Sequence, residues 1–146
     1  MQQERYMRRA MELAELGRGW TKTNPVVGAV LVKGDRIIGE GYHKKFGGLH
    51  AEREALADCR SRGEDPAGAD LYVTLEPCCH YGKTPPCTQA IIEAGISHVF
   101  VGAKDINPLV AGGGIRQLRE QGILVTEGVL QEECEYQNRV FFHYIQ

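Results

Sequence analysis

The sequence predicts an α/β layered fold, a five-stranded mixed sheet with helices on both faces. Three observations lead there. Short apolar runs alternate along the chain with segments whose apolar residues recur every three or four positions, which is the pattern of strands alternating with helices. The turn sequence Lys33-Gly34-Asp35-Arg36 joins the first two apolar runs and reads as a hairpin, so those strands are antiparallel. The later strands are separated by helical segments, and such crossovers make neighbouring strands parallel.

The elements follow in order. A first helix is predicted over 4–18, with Met7, Met11 and Ala14 on one face and Gly17 and Gly19 as its stop. A polar loop over 20–24 leads into a strand over 26–32, then the turn, then the partner strand over 37–42. A helix over 50–60 carries Ala51, Ala55 and Cys59 on one stripe. A strand over 71–75 precedes a helix over 86–94, bracketed by Pro86 in its first turn and Gly95 just past its end. A strand over 98–101, a helix over 113–121 and a strand over 123–125 continue the alternation. The final helix, over 130–142, is expected to bury Tyr136, Val140 and Phe141. Tyr72 and Phe100 fall on strands and read as core, while His98 and His143 read as structural.

Length and composition set bounds on function. The 146 residues argue for one domain, 1–146, large enough to bury about 70% of its unfolded surface without disulfide staples. With 42% hydrophobic and 25% charged residues the chain is an ordinary globular protein. Seventeen Lys and Arg against nineteen Asp and Glu give a charge of −2, which weighs against nucleic acid as a partner. No apolar run is long enough for a membrane span, and the start of the chain has no apolar signal core, so a cytoplasmic protein with reduced thiols is expected.

Five cysteines are therefore not a disulfide framework. Cys59 and Cys134 stand alone and read as small buried side chains. Cys78, Cys79 and Cys87 crowd into ten residues, in the run Pro77-Cys78-Cys79-His80-Tyr81-Gly82-Lys83-Thr84-Pro85-Pro86-Cys87. A second chemical segment is His50-Ala51-Glu52. Each follows a loop and opens a helix, where free N–H groups and a partial positive charge favour thiolate over thiol. One His and two Cys make a three-ligand zinc site whose fourth position stays open for water, and zinc lowers the pKa of that water to about 7. A carboxylate two residues after the His can then shuttle protons without binding the metal. Zinc-dependent base deaminases combine H-x-E with P-C-x-x-C in this way. The first half fits here, whereas Cys78 and Cys87 have eight residues between them instead of two. A closed structural zinc knot that uses His80 is the competing reading of the cysteine run.

With these residues in view, the chain resembles the deaminase domain of the bifunctional riboflavin-biosynthesis deaminase/reductase family, over essentially its whole length. The resemblance rests on His50-Ala51-Glu52, Asn24-Pro25-Val26-Val27-Gly28, Gly41-Tyr42-His43, the run from Leu75-Glu76-Pro77-Cys78 to Cys87, and Asp105-Ile106-Asn107-Pro108 followed by Val110-Ala111-Gly112. The long spacing between the cysteines separates this family from cytidine, deoxycytidylate and tRNA-adenosine deaminases. The resemblance implies the three-layer cytidine-deaminase-like fold and the substrate 2,5-diamino-6-(5-phosphoribosylamino)pyrimidin-4-one. Its ring 2-amino group would leave as ammonia after attack by zinc hydroxide, giving 5-amino-6-(5-phosphoribosylamino)uracil, with Glu52 passing the protons.

The same resemblance assigns one zinc to His50, Cys78 and Cys87. Cys78 is preferred over Cys79 because it follows Pro77 directly, as in the deaminase pattern, and because family members often carry Ser at the position of Cys79. Asn24, His43, His80, Lys83, Thr84, Asp105 and Asn107 match positions that line the substrate site, with Lys83 and Thr84 suited to phosphate. Gly112-Gly113-Gly114, opening a helix, is a further candidate anion site or simply a flexible helix entrance. Family members in bacteria usually continue into a C-terminal reductase domain that uses NADPH, and others are stand-alone deaminases. No Gly-rich dinucleotide fingerprint occurs in this sequence, so NADPH is not expected on this chain. A homo-oligomer, dimer or larger, is expected. The competing functions are deamination of another aminopyrimidine, aminopurine or nucleoside, nucleic-acid editing, and a non-catalytic zinc-stabilised interaction domain. Glu52 beside an open site argues against the last.

Overall fold

The computed structural model of the chain describes residues 2–17, 26–43, 50–77, 87–104 and 112–145; in the first and last helices it describes side chains over 3–16 and 131–138. The elements are α1 (Gln2–Leu16), β1 (Gly28–Lys33), β2 (Arg36–Tyr42), α2 (Ala51–Ser61), β3 (Asp70–Leu75), α3 (Cys87–Ala94), β4 (His98–Ala103), α4 (Gly113–Glu120), β5 (Leu124–Thr126) and α5 (Gln131–Ile145). Each predicted element is present, with ends displaced by up to three residues.

The five strands form one mixed sheet in the order β2-β1-β3-β4-β5. β1 is antiparallel to both β2 and β3, pairing Ala29 with Gly41 on one side and Val73 on the other. β3, β4 and β5 are parallel, with Leu71 opposite Val99 and Val99 opposite Val125. Two successive reversals make β2 point the same way as β3 and β4. These three strands therefore end at one edge of the sheet, and the helices that follow them, α2, α3 and α4, begin there. β1 starts at the same edge.

Side chains alternate between the two faces, as a period of two requires. Val30, Val32, Tyr72 and Phe100 pack with Tyr6, Met7, Ala10 and Leu13 of α1 and with Cys134 of α5. Ala29, Leu31, Leu71, Val73, Val99 and Val101 pack with Ala51, Ala55 and Cys59 of α2, Ile91 of α3, and Ile115 and Leu118 of α4. Cys59 and Cys134 are fully buried, as expected, and burial pushes both thiols up, Cys134 to about 12. Tyr72 and Phe100 stack at 4.4 Å, and the His98 ring continues the stack at 4.0 Å while its Nε2 hydrogen-bonds Thr126 Oγ1 at 2.7 Å. His98 is thus structural.

Two glycines decide how closely α2 lies on the sheet. A methyl group at Gly39 would come within 2.5 Å of Ala55 O and 2.9 Å of Cys59 Cβ; one at Gly41 would come within 2.5 Å of Ala51 O and 2.7 Å of Glu54 Cβ. The main chain of α2 rests directly on β2 because no side chain intervenes.

The expectation for α5 needs correction. Tyr136 is 63% exposed, and among the described side chains of that helix the buried ones are Cys134, Gln137 and Asn138. Tyr136 is two positions from Cys134, about 200° around the helix, and so faces solvent. Polar residues take the buried face because they find partners there. Gln137 Nε2 donates to Met11 O at 2.9 Å and to the Glu15 carboxylate at 2.6 Å, and Asn138 Oδ1 accepts from Val26 N at 2.9 Å. The side chains of Val140, Phe141 and His143 lie outside those described.

Candidate active site

The site is built where α2 and α3 begin. His50 is the N-cap residue of α2, with extended backbone (φ −72°, ψ 162°), and its carbonyl accepts the first helical hydrogen bond from Glu54 N at 3.0 Å. Glu52 follows in the first turn and is only 4% exposed. Cys87 is the first residue of α3 and is 1% exposed. His50 Nδ1 lies 3.1 Å from Cys87 Sγ, although 37 positions separate them in sequence. His43, buried at the end of β2, sets its ring edge-on to His50 at 5.5 Å, and its backbone N–H donates to Val27 O at 3.1 Å, which ties the end of β2 to the approach to β1.

This donor pair suits zinc. An imidazole nitrogen and a sulfur that share one tetrahedral zinc, at bond lengths near 2.0 and 2.3 Å, stand about 3.6 Å apart. The observed separation is within half an ångström of that and needs only a small adjustment. The first turn of α3 carries no acidic residue, and the partial positive charge of a helix start favours an anionic metal ligand there. Among the described residues no three His, Cys, Asp or Glu side chains form a complete metal-binding group. Two predicted ligands are in contact, and the third, Cys78, lies outside the described residues. Cys79, Asn24, His80, Lys83, Thr84, Asp105 and Asn107 also lie outside them. The structure thus brings His43 and Cys87 against His50, and it places Glu52 buried in the first turn of α2, two positions after His50.

It also shows contacts that the sequence analysis did not assign. Glu76, just past β3 and buried, accepts from three backbone N–H groups at the start of α4: Gly112 N at 2.9 Å on one oxygen, Gly114 N at 2.9 Å and Ile115 N at 3.1 Å on the other. This corrects the reading of the glycine triplet. Its N–H groups do bind an anion, but the anion is the protein's own carboxylate. The glycines serve close approach, since a methyl group at Gly114 would collide with Pro77 O and stand 3.3 Å from Glu76 Cγ. Further along α4, Gln117 accepts a hydrogen bond from the hydroxyl of Thr88, the neighbour of Cys87. Glu76 was visible in sequence only as part of a motif, because nothing local pairs it with residues 36 to 39 positions away.

Comparison with known proteins agrees with this geometry. A family model described as the cytidine and deoxycytidylate deaminase zinc-binding region matches residues 1–103. The chain is 59% identical over 141 residues to the riboflavin biosynthesis protein RibD of Actinobacillus pleuropneumoniae, covering 97% of this chain and 37% of that protein. It thus spans little more than a third of that relative's length. It is 47% identical over 137 residues to a diaminohydroxyphosphoribosylamino-pyrimidine deaminase of Buchnera aphidicola, covering 94% of this chain and 91% of that protein. The crystal structure of a diaminohydroxyphosphoribosylaminopyrimidine deaminase/5-amino-6-(5-phosphoribosylamino)uracil reductase from Thermotoga maritima superposes with a TM-score of 0.92 at 53% identity, over 99% of this chain and 41% of that one.

Proposed function

The chain belongs to the zinc-binding cytidine and deoxycytidylate deaminase family, together with the diaminohydroxyphosphoribosylaminopyrimidine deaminases, and on that premise we propose that it hydrolyses the 2-amino group of 2,5-diamino-6-(5-phosphoribosylamino)pyrimidin-4-one. The observation that carries this reading is the contact of His50 with Cys87 at two helix starts, with buried Glu52 in the first turn of the first of them. The near full-length Buchnera relative supports the choice of substrate over other aminopyrimidines.

In this reading 1–146 is one deaminase domain, and a single zinc is held by His50, Cys78 and Cys87. Zinc, when bound, supplies a water acidic enough to react at neutral pH. Glu52 Oε would take a proton from the attacking water as the water oxygen bonds to the ring carbon bearing the amine. It delivers the proton to the adjacent ring nitrogen, then carries the second proton to the amine. The C–N bond breaks and ammonia leaves. Water thus supplies the carbonyl oxygen of the product and one proton each to ring nitrogen and ammonia. Burial keeps the Glu52 carboxylate away from bulk solvent, so the protons it handles stay with the substrate. Asn24 contacts the base, while His43, His80, Lys83, Thr84, Asp105 and Asn107 complete the pocket, Lys83 and Thr84 on the phosphate.

The test is ammonia release from this pyrimidine by the purified chain, before and after treatment with a zinc chelator and after zinc is restored. Turnover that the chelator abolishes and zinc restores is expected. Turnover of deoxycytidylate in preference to the riboflavin precursor would overturn the substrate assignment.

A further inference from the structure

We propose that Glu76 is a positioning residue for the zinc site, acting through α4, which braces both cysteine-bearing segments at once. Glu76 lies two residues before Cys78, and its carboxylate is bound by the first N–H groups of α4. Gln117, on the same helix, holds Thr88, which directly follows Cys87. One helix is thereby tied to the strand that leads into one cysteine and to the helix that starts with the other.

A simple capping role does not account for this arrangement. A Ser at the N-cap would accept locally from the N–H groups of the first turn, without burying a carboxylate. The N-cap here is Gly112, at φ 86°, with no side chain to offer. What the buried Glu76 adds is a connection between β3 and α4, over 36 to 39 positions of sequence. The contact is also tight at the residue next to Cys78, since Gly114 has no room for a methyl group against Pro77 O. Groups behind a metal's ligands that set their orientation typically alter metal affinity when removed.

The inference rests on the zinc deaminase reading, and the experiment separates the two. The zinc-loaded chain is titrated with a chromophoric chelator, 4-(2-pyridylazo)resorcinol, to obtain its zinc affinity, and the cobalt(II)-substituted protein is examined by visible absorption. Thermal melting is recorded alongside. Glu76→Gln keeps the size of the side chain but sets an NH2 group against one of the backbone donors. We expect its zinc affinity to fall about 10- to 100-fold, with an altered cobalt spectrum. Thr88→Val, which removes only the hydroxyl tie to Gln117, should weaken zinc binding in the same direction by less, and it carries the test if Glu76→Gln does not fold. Val99→Ala, in the core of β4, serves as the control for general destabilisation: it should lower the melting temperature and leave zinc affinity unchanged. Parent-like zinc affinity in Glu76→Gln or, if that variant does not fold, in Thr88→Val would overturn the proposal. So would equal loss of zinc in Val99→Ala. A parent chain that holds no zinc would remove the deaminase reading itself, and this inference with it.

Discussion

Gly41→Ala tests the link between packing and catalysis most directly. The added methyl group would sit 2.5 Å from Ala51 O, at the start of α2. Ordinary non-bonded contacts are near 3.5 Å, so the first turn of α2 has to retreat by roughly 1 Å. Overpacking by one methyl group costs about 1–3 kcal/mol. The upper part of that range applies because the colliding atoms include main chain of Ala51 and Ala55, which no rotamer change can move aside. With a urea slope of about 1–3 kcal/mol/M, the unfolding midpoint should fall by about 1–2 M. The displaced turn is the one that carries His50 and Glu52. A shift of about 1 Å in a reacting group costs on the order of 10²-fold in rate, so turnover should drop much further than the loss of folded protein explains. Urea unfolding followed by circular dichroism, and ammonia release from protein shown to be folded, measure the two effects. An unchanged midpoint would refute the close-packing argument. A lowered midpoint with parent turnover would refute the claim that this contact sets the site.

Three other outcomes follow from the same structure. Glu52→Gln should retain its fold and zinc yet lose about 10²- to 10⁴-fold in turnover, because an amide cannot shuttle protons; near-parent turnover would remove Glu52 from the mechanism. Metal analysis of Cys78→Ser should show most zinc lost, while Cys79→Ser keeps one zinc per chain, and the reverse pattern would exchange their roles. Burial raises the Asp70 carboxyl above its usual range, with nearby His98 and the Ser97 hydroxyl only partly opposing it. The folded state therefore holds that proton more firmly than the unfolded state, and the resulting stability is full below about pH 4 and lost as pH rises through the folded value. Asp70→Asn should gain in urea midpoint over the parent between acid and neutral pH, and a difference independent of pH would contradict this reading.

Element order, the hairpin and the mixed sheet could be read from the amino-acid sequence, because each depends on local periodicity and turn chemistry. Ala51, Ala55 and Cys59 are one helical stripe wherever the chain places them, and Lys33-Gly34-Asp35-Arg36 turns whatever surrounds it. His50 and Cys87, which meet at 3.1 Å, could be paired in the sequence because zinc chemistry limits which residue types can serve at a helix start. Only the tertiary structure decided which anion occupies the start of α4 and which side of α5 is buried. Glu76 reaches Gly112, Gly114 and Ile115 across a parallel crossover, and Gln137 and Asn138 displace Tyr136 from the interior by bonding to α1 and to Val26. Hydrophobic patterning has no information on such pairs, since a polar side chain reads as exposed until its distant partner is known. The closeness of α2 to β2 is of the same kind: Gly39 and Gly41 look like interruptions of a strand in sequence, and become the seat of a helix only when the main chain of α2 arrives against them.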